Sequence, residues 1–183
     1  KLFLLDNFSN SSPLALNRVA LLSNLSQEEV QERVSIINGD VRDFSLLDNI
    51  FSNAESNGER IISVIHFAGL KAVGESFEKA IDYWDHNVGG TICLIKAMGK
   101  SSCRNIVFSS SATVYGLSDY VPMSEDHKIS PINPYGETKV AIENMFYDLY
   151  NSNTNLWKIC SLRYFNPVGA HPSGLIGEDP IGI

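Results

Sequence analysis

Tyr135 and Lys139, in the string Tyr135-Gly136-Glu137-Thr138-Lys139, stand four residues apart. On a helix that spacing puts both side chains on one face. A phenol ionises near pH ~10, too high for a base at neutrality, but a neighbouring ammonium favours the phenolate. Lowering a pKa by one takes about 1.4 kcal/mol, so a phenol titrating near pH ~7 needs roughly 4 kcal/mol from one close cation and a second positive group. Such a phenolate takes a proton from a substrate hydroxyl. Ser111, in Ser109-Ser110-Ser111-Ala112-Thr113-Val114-Tyr115-Gly116, adds a hydroxyl that a helical Tyr135 could hydrogen-bond across a cleft. Spacing alone decides little, because a Tyr and Lys on an exposed helix face commonly do nothing.

The surrounding elements carry more weight. Apolar runs of strand length at residues 1–5, 34–38, 61–67, 105–110 and 156–162 alternate with helical patterns near 14–25, 45–54, 77–100 and 135–151. This is the pattern of βαβ units and a parallel sheet, its strands buried on both faces. Pro13 suits a helical first turn, and Ser26-Gln27-Glu28-Glu29 has capping-box spacing for a second short helix. The 77–100 pattern could be broken, Gly89-Gly90 could kink it, and Ile142, Met145, Phe146 and Leu149 recur at helical spacing as core contacts. The connection from Gly116 to Asn133, with Pro122 and Pro131, is long for a compact domain, and such loops often carry function. Ser111 therefore follows the fourth strand, and Tyr135 and Lys139 open the helix that comes next.

Open α/β sheets bind ligands at the C-terminal ends of their strands. Asp6 closes the first strand and is followed by Asn7, Phe8, Ser9, Asn10 and Ser11. An acid at that place in a dinucleotide-binding unit holds the adenosine ribose and, by repelling a 2′-phosphate, favours NAD over NADP; the plainer alternative is a turn-starting Asp. Asp40 and Val41 follow the second strand, and Asp40 either reaches an adenine amino group or caps the next helix. Phe67, Ala68, Gly69, Leu70 and Lys71 follow the third. Ala68 and Gly69 are small enough for backbone to approach a cofactor, while Lys71 either meets a phosphate or is solvated. His66 reads as a core histidine. The Asn87 amide either fixes strand-end backbone beside the cofactor or sits at a helix kink. Phe165 and Asn166 belong to Arg163-Tyr164-Phe165-Asn166-Pro167-Val168-Gly169-Ala170-His171-Pro172, which reads as a shaped binding loop.

Bulk properties exclude several classes. With 183 residues, 44% hydrophobic and 19% charged, the chain can bury one real core. A net charge of -7 argues against nucleic-acid or anionic-membrane partners. No apolar run approaches the roughly 20 residues of a membrane span. Cys93, Cys103 and Cys160 form no C-x-x-C pair and read as buried free thiols of a reducing cytosol, and the four histidines lack metal-ligand spacing. The chain opens at Lys1 directly in a strand and ends in Glu178-Asp179-Pro180-Ile181-Gly182-Ile183, so it reads as an internal segment of a longer protein.

The strings Val64-Ile65-His66-Phe67-Ala68-Gly69-Leu70-Lys71-Ala72-Val73-Gly74, Phe108-Ser109-Ser110-Ser111-Ala112-Thr113-Val114-Tyr115-Gly116 and Leu162-Arg163-Tyr164-Phe165-Asn166-Pro167-Val168-Gly169-Ala170-His171-Pro172 resemble the extended short-chain dehydrogenase/reductase family, and within it the UDP-galactose 4-epimerases. The resemblance implies a Rossmann-like doubly wound parallel sheet of the α/β class, NAD as cofactor and a UDP-hexose as substrate, in the cytoplasm. It implies that residues 1–165 are a partial NAD-binding domain and 166–183 the start of the substrate-binding region. Tyr135 would take the sugar 4-OH proton as the C4 hydride passes to NAD. Lys139 would lower the phenol's pKa and bind the nicotinamide ribose, and Ser111 would hydrogen-bond the 4-OH. The 4-keto sugar would then turn and accept the hydride on its other face. The strand-end residues Asp6 to Ser11, Asp40, Val41 and Phe67 to Lys71 would line the NAD site with Asn87, Ser111, Tyr135, Lys139 and Phe165. Lys71, Ser111, Tyr135 and Asn166 would contact the nucleotide-sugar.

Three other readings share the same residues. A 4-epimerase of another UDP-sugar would differ in residues outside this segment. A nucleotide-sugar 4,6-dehydratase typically has Asp-Glu after the catalytic hydroxyl, where this chain has Ala112-Thr113. A non-catalytic NAD-sensing domain would be expected to lose Tyr135, Lys139 or Ser111. The resemblance also implies an absent glycine-rich first βα unit, whose strand would lie between those at 1–5 and 61–67, and an absent C-terminal substrate domain. Unpaired backbone in the sheet is costly, so the segment alone is expected to fold poorly and be inactive. The full-length protein could form a homodimer.

Overall fold

The computed structural model describes residues 1–152 and 156–177, so the closing segment 178–183 lies outside the described residues. Among the described residues five strands, all paired in parallel, form two sheets. Strand β1 (Leu2–Asp6) pairs with β2 (Val34–Asn38), and β3 (Ser63–His66), β4 (Asn105–Ser111) and β5 (Lys158–Tyr164) pair in that order. Parallel neighbours require crossover connections. These are α1 (Pro13–Leu22) and α2 (Gln27–Arg33) after β1, α3 (Phe44–Ser56) after β2, α4 (Val73–Glu78), α5 (Ala80–Tyr83) and α6 (Gly90–Lys100) after β3, and α7 (Pro134–Ser152) after β4. The α/β reading holds. Contacts divide the chain into two units, one of Lys1–Asp40 with residues from Asn166 onward, the other Val41–Phe165.

In the first unit, local chemistry sets the helix starts. The Ser12 hydroxyl accepts from the Leu14 amide ahead of Pro13. The expected capping box closes, with Ser26 Oγ accepting from the Glu29 amide at 3.1 Å and Glu29 accepting from the Ser26 amide at 2.9 Å. Glu28 and Glu29 in the first turn and Arg33 in the last also match the helix dipole.

In the second unit, β4 is the central strand, and Ile106, Phe108 and Ser110 are buried on alternate positions. Phe108 meets Phe146 of α7 edge-to-face at 5.4 Å, and Ile142 is buried beside it; Met145 and Leu149 are only half-buried. Helix α3 packs on α6, burying Leu47, Phe51 and Ala54 of one and Leu94, Ala97 and Met98 of the other.

Two elements differ from the sequence reading. The helical pattern is interrupted at Lys79, and next to Gly89-Gly90 the irregularity is a π-helical turn, Trp84–Gly89, that runs straight into α6. Glycine at 90 also serves packing, since a Cβ there would lie 2.6 Å from Val41 Cγ1. Strand β5 also starts at Lys158, later than the apolar run suggests. Trp157 is buried with the Arg104 guanidinium 5.1 Å over its ring, so its side chain is committed to packing before the ladder begins. Of the cysteines only Cys103 is buried; Cys93 is intermediate and Cys160 exposed. Among the described residues no helix is long and apolar enough to cross a membrane.

Candidate functional site

The start of α7 is fixed by Asn133, whose Oδ1 accepts from the Gly136 amide at 2.8 Å, with Pro134 as first helical residue. This aims Tyr135 and Lys139 inward, 8% and 5% exposed. Ser111 ends β4 and caps the short 3₁₀ turn Ala112–Tyr115; its Oγ accepts from the Thr113 amide at 3.2 Å and from the Thr113 hydroxyl at 3.0 Å. The Ser111 hydroxyl also faces the Tyr135 phenol, an interaction that favours the phenolate. The structure thus brings Ser111, Tyr135 and Lys139 together.

The electrostatics differ from the simple cation argument. Burial pushes the Tyr135 phenol above its ordinary value, and Ser111 only partly offsets it. Lys139 Nζ donates to the Ser109 carbonyl at 2.8 Å and lies 4.7 Å from the Phe108 ring centroid and 5.5 Å from that of Tyr135. Burial lowers its own pKa to about 8, so it remains mostly charged at pH 7. The protein alone therefore does not hold a phenolate at neutrality.

Asn87 resolves in favour of fixing backbone. Its Oδ1 accepts from the Leu70 amide at 2.8 Å, and its Nδ2 donates to the Leu70 carbonyl at 3.0 Å and to Thr138 Oγ1 at 3.1 Å. Gly69 has to be small for this clasp, because a Cβ there would lie 2.8 Å from Asn87 Oδ1. His66 is the core histidine expected: its Nε2 meets Thr91 Oγ1 at 2.9 Å, and burial, with the Lys139 charge adding, lowers its pKa to about 3. Phe67, Ala68 and Lys71 are exposed at the end of β3, and Phe165 is exposed past β5.

In the first unit, Asp6 Oδ1 accepts from the Phe8 amide at 2.7 Å and the Ser11 hydroxyl at 2.9 Å, so the carboxylate organises its own turn at the strand end. Asn7 Oδ1 accepts from the Ser9 amide, and Asn7 Nδ2 donates to Asp40 Oδ2 at 3.1 Å, joining the ends of β1 and β2. Asp40 does not cap α3; Asp43 does, accepting from the Leu46 amide at 2.9 Å. Asn10 is exposed beside this turn, Val41 lies in the second unit against Gly90, and Asn166 is exposed in the first.

Several residues around the trio escape the sequence reading. Thr113 orients Ser111, and Thr138 links Asn87 to α7. Glu143 continues the stripe of Tyr135 and Lys139 and receives the Ser110 hydroxyl at 2.5 Å. The i, i+4, i+8 spacing is the signal that could find it.

The sequence matches the family model described as GDP-mannose 4,6 dehydratase over residues 4–179. It is 50% identical to UDP-glucose 4-epimerase 2 of Arabidopsis thaliana, over 97% of this chain and 48% of that protein. It is 46% identical to the UDP-glucose 4-epimerase of Bacillus subtilis (strain 168), over 100% of this chain and 50% of that one. The UDP-glucose 4-epimerase of Bifidobacterium longum, solved in complex with NAD+ and UDP, superposes with a TM-score of 0.88 at 45% identity, covering 99% of this chain and 50% of that chain. The chain spans about half the length of the relatives it matches.

Proposed function

From a chain that belongs to the GDP-mannose 4,6 dehydratase family of extended short-chain dehydrogenase/reductases, we propose the NAD-binding and proton-transfer part of a UDP-glucose 4-epimerase, which interconverts UDP-galactose and UDP-glucose. The observation that carries the reading is the buried trio: Ser111 facing the Tyr135 phenol, with Lys139 one helical turn away. In the full-length protein Tyr135 takes the proton from the sugar 4-OH, and Ser111 hydrogen-bonds that oxygen and passes the proton. NAD, when bound, accepts the C4 hydride and returns it, and adds the second positive charge that the buried phenol requires. Lys139 holds the nicotinamide ribose and keeps a cation beside the phenolate. The same Tyr135 gives the proton back after the 4-keto sugar has turned, so the reaction has no net redox change.

The residues present fit that cofactor. The Asp6 turn, with Asn7, Phe8, Ser9, Asn10 and Ser11, would hold the adenosine ribose, and Asp40 and Val41 the adenine. Phe67 to Lys71, braced by Asn87 at Leu70, would line the nicotinamide end with Phe165. Lys71 and Asn166 would meet the nucleotide-sugar. Residues 1–165 form part of the NAD-binding domain and 166–183 begin the substrate region. A cytoplasmic protein of galactose metabolism, homodimeric in full length, is consistent with this chemistry. The dehydratase reading lacks support in the residues, because Thr113 bonds Ser111 where a dehydratase needs a carboxylate.

The test is Tyr135→Phe in the full-length protein assayed with UDP-galactose. Turnover falls by about 100-fold or more with NAD retained; a variant with unchanged turnover sinks the reading.

A further inference from the structure

Tyr135, Lys139 and Glu143 form one stripe along α7, and each engages a different residue of β4. Tyr135 meets Ser111, Lys139 Nζ meets the Ser109 carbonyl at 2.8 Å, and Glu143 Oε1 accepts from the Ser110 hydroxyl at 2.5 Å. Glu143 is itself gripped by Arg163 of β5, the register partner of Ser110. Arg163 Nε donates to both Glu143 oxygens at 3.1 and 3.2 Å, and Nη2 donates to Oε2 at 2.7 Å. Nη1 turns the other way, to the Tyr115 hydroxyl at 2.9 Å and the Glu125 carbonyl at 3.3 Å. The guanidinium also stacks on the Tyr115 ring at 5.1 Å.

One planar group thus joins helix α7, the 3₁₀ turn that Ser111 caps, and the loop from Gly116 to Asn133 that connects them. The pair is largely buried, with side chains 25% and 14% exposed. Apolar residues of similar volume would stabilise such a place as well or better. A bidentate fork adds directionality that apolar packing lacks, since it holds the helix at one height along the strand. We infer that Arg163 and Glu143 are positioning residues, a clamp that sets the height of α7 against β4 and thereby the Ser111–Tyr135 contact. This inference rests on the proposed function for the role of that contact.

The test uses the full-length protein carrying Glu143→Leu together with Arg163→Met, which fills the space and leaves no lone buried charge. We expect its melting temperature to stay close to that of the parent, the added apolar packing offsetting the acceptor lost to the Ser110 hydroxyl. Turnover of UDP-galactose falls about 10- to 100-fold with little change in KM, because a small misplacement of reacting groups is costly. The Tyr135 phenol, followed by NMR of 13C-labelled tyrosine and assigned by its loss in Tyr135→Phe, titrates at higher pH than in the parent. Glu143→Gln, which keeps the Ser110 contact but weakens the fork, shows the same changes in smaller measure and carries the test if the double variant does not fold. A folded variant with parental turnover and phenol midpoint overturns the clamp. The phenol titration needs no substrate, so a parent that fails to epimerise overturns the functional reading while a raised midpoint still upholds the clamp.

Discussion

Asn87 clasps Leu70 by both of its backbone polar groups, accepting from its N–H at 2.8 Å and donating to its C=O at 3.0 Å. The same Nδ2 reaches Thr138, whose hydroxyl donates to the Tyr135 carbonyl at 2.7 Å. Asn87→Ala leaves Leu70 without these partners and is expected to cost about 2–4 kcal/mol, read by urea denaturation of the full-length protein. Asn87→Asp is the sharper probe. It keeps one acceptor but sets an oxygen against the Leu70 carbonyl, so NAD binding should weaken by about 10-fold or more, measured by titration.

His66 ties stability to pH. Its folded pKa of about 3 lies below the ordinary 6.5, so the unfolded chain binds more protons across that window. Stability contributed by the neutral imidazole is fully present above pH 6.5 and is lost as pH falls towards 3, at up to about 1.4 kcal/mol per pH unit. Urea unfolding midpoints measured from about pH 7 to 4 should show this slope, and His66→Gln should flatten it. An equal slope in both proteins counts against the assignment.

Lys139 sets an alkaline limit. Since burial lowers its pKa to about 8, the ammonium is lost as pH rises through that value. NAD affinity of the full-length protein should decline with a midpoint near pH 8, whereas Lys139→Met should bind weakly and without that step. Titrations between about pH 6.5 and 9.5 decide it.

Two glycines give opposite outcomes. Gly116 has φ +68, and an added Cβ would lie 2.0 Å from the Ser130 carbonyl oxygen. Gly116→Ala should cost more than about 2 kcal/mol and lower turnover, because it displaces the loop between Ser111 and Tyr135. Gly99 lies exposed in α6 with nothing within 4 Å of a new Cβ, so Gly99→Ala should stabilise by roughly 0.5–1 kcal/mol. Thermal and chemical denaturation of both variants provide the comparison.

Legibility follows the range of the interactions. The Ser26–Glu29 box and the shared face of Tyr135 and Lys139 depend on neighbours within one turn, and both are readable. So is the placement of Ser111 and the Leu70 segment at strand ends, which follows from βαβ alternation. Gly90 shows no packing role in the sequence because the side chain that needs its space, Val41, is remote along the chain. Asp43 rather than Asp40 caps α3 because it directly precedes the first helical residue, a distinction that follows from cap geometry. Arg163 and Glu143 give no local sign of pairing, since strand and helix meet only in the fold. The upward push on the Tyr135 phenol is likewise hidden, because desolvation depends on what covers the ring.

Two hydroxyls behind the trio, those of Thr91 and Thr138, have no hydrogen to spare. Thr91 gives its own to the Asn87 carbonyl at 2.5 Å, so it receives the N–H of His66, and Thr138 gives its own to Tyr135 while receiving from Asn87. A hydroxyl so committed cannot hand a proton inward without reversing its neighbours. Thr91 and Thr138 are therefore fixed partners that hold the buried imidazole and the backbone behind the trio, rather than proton carriers.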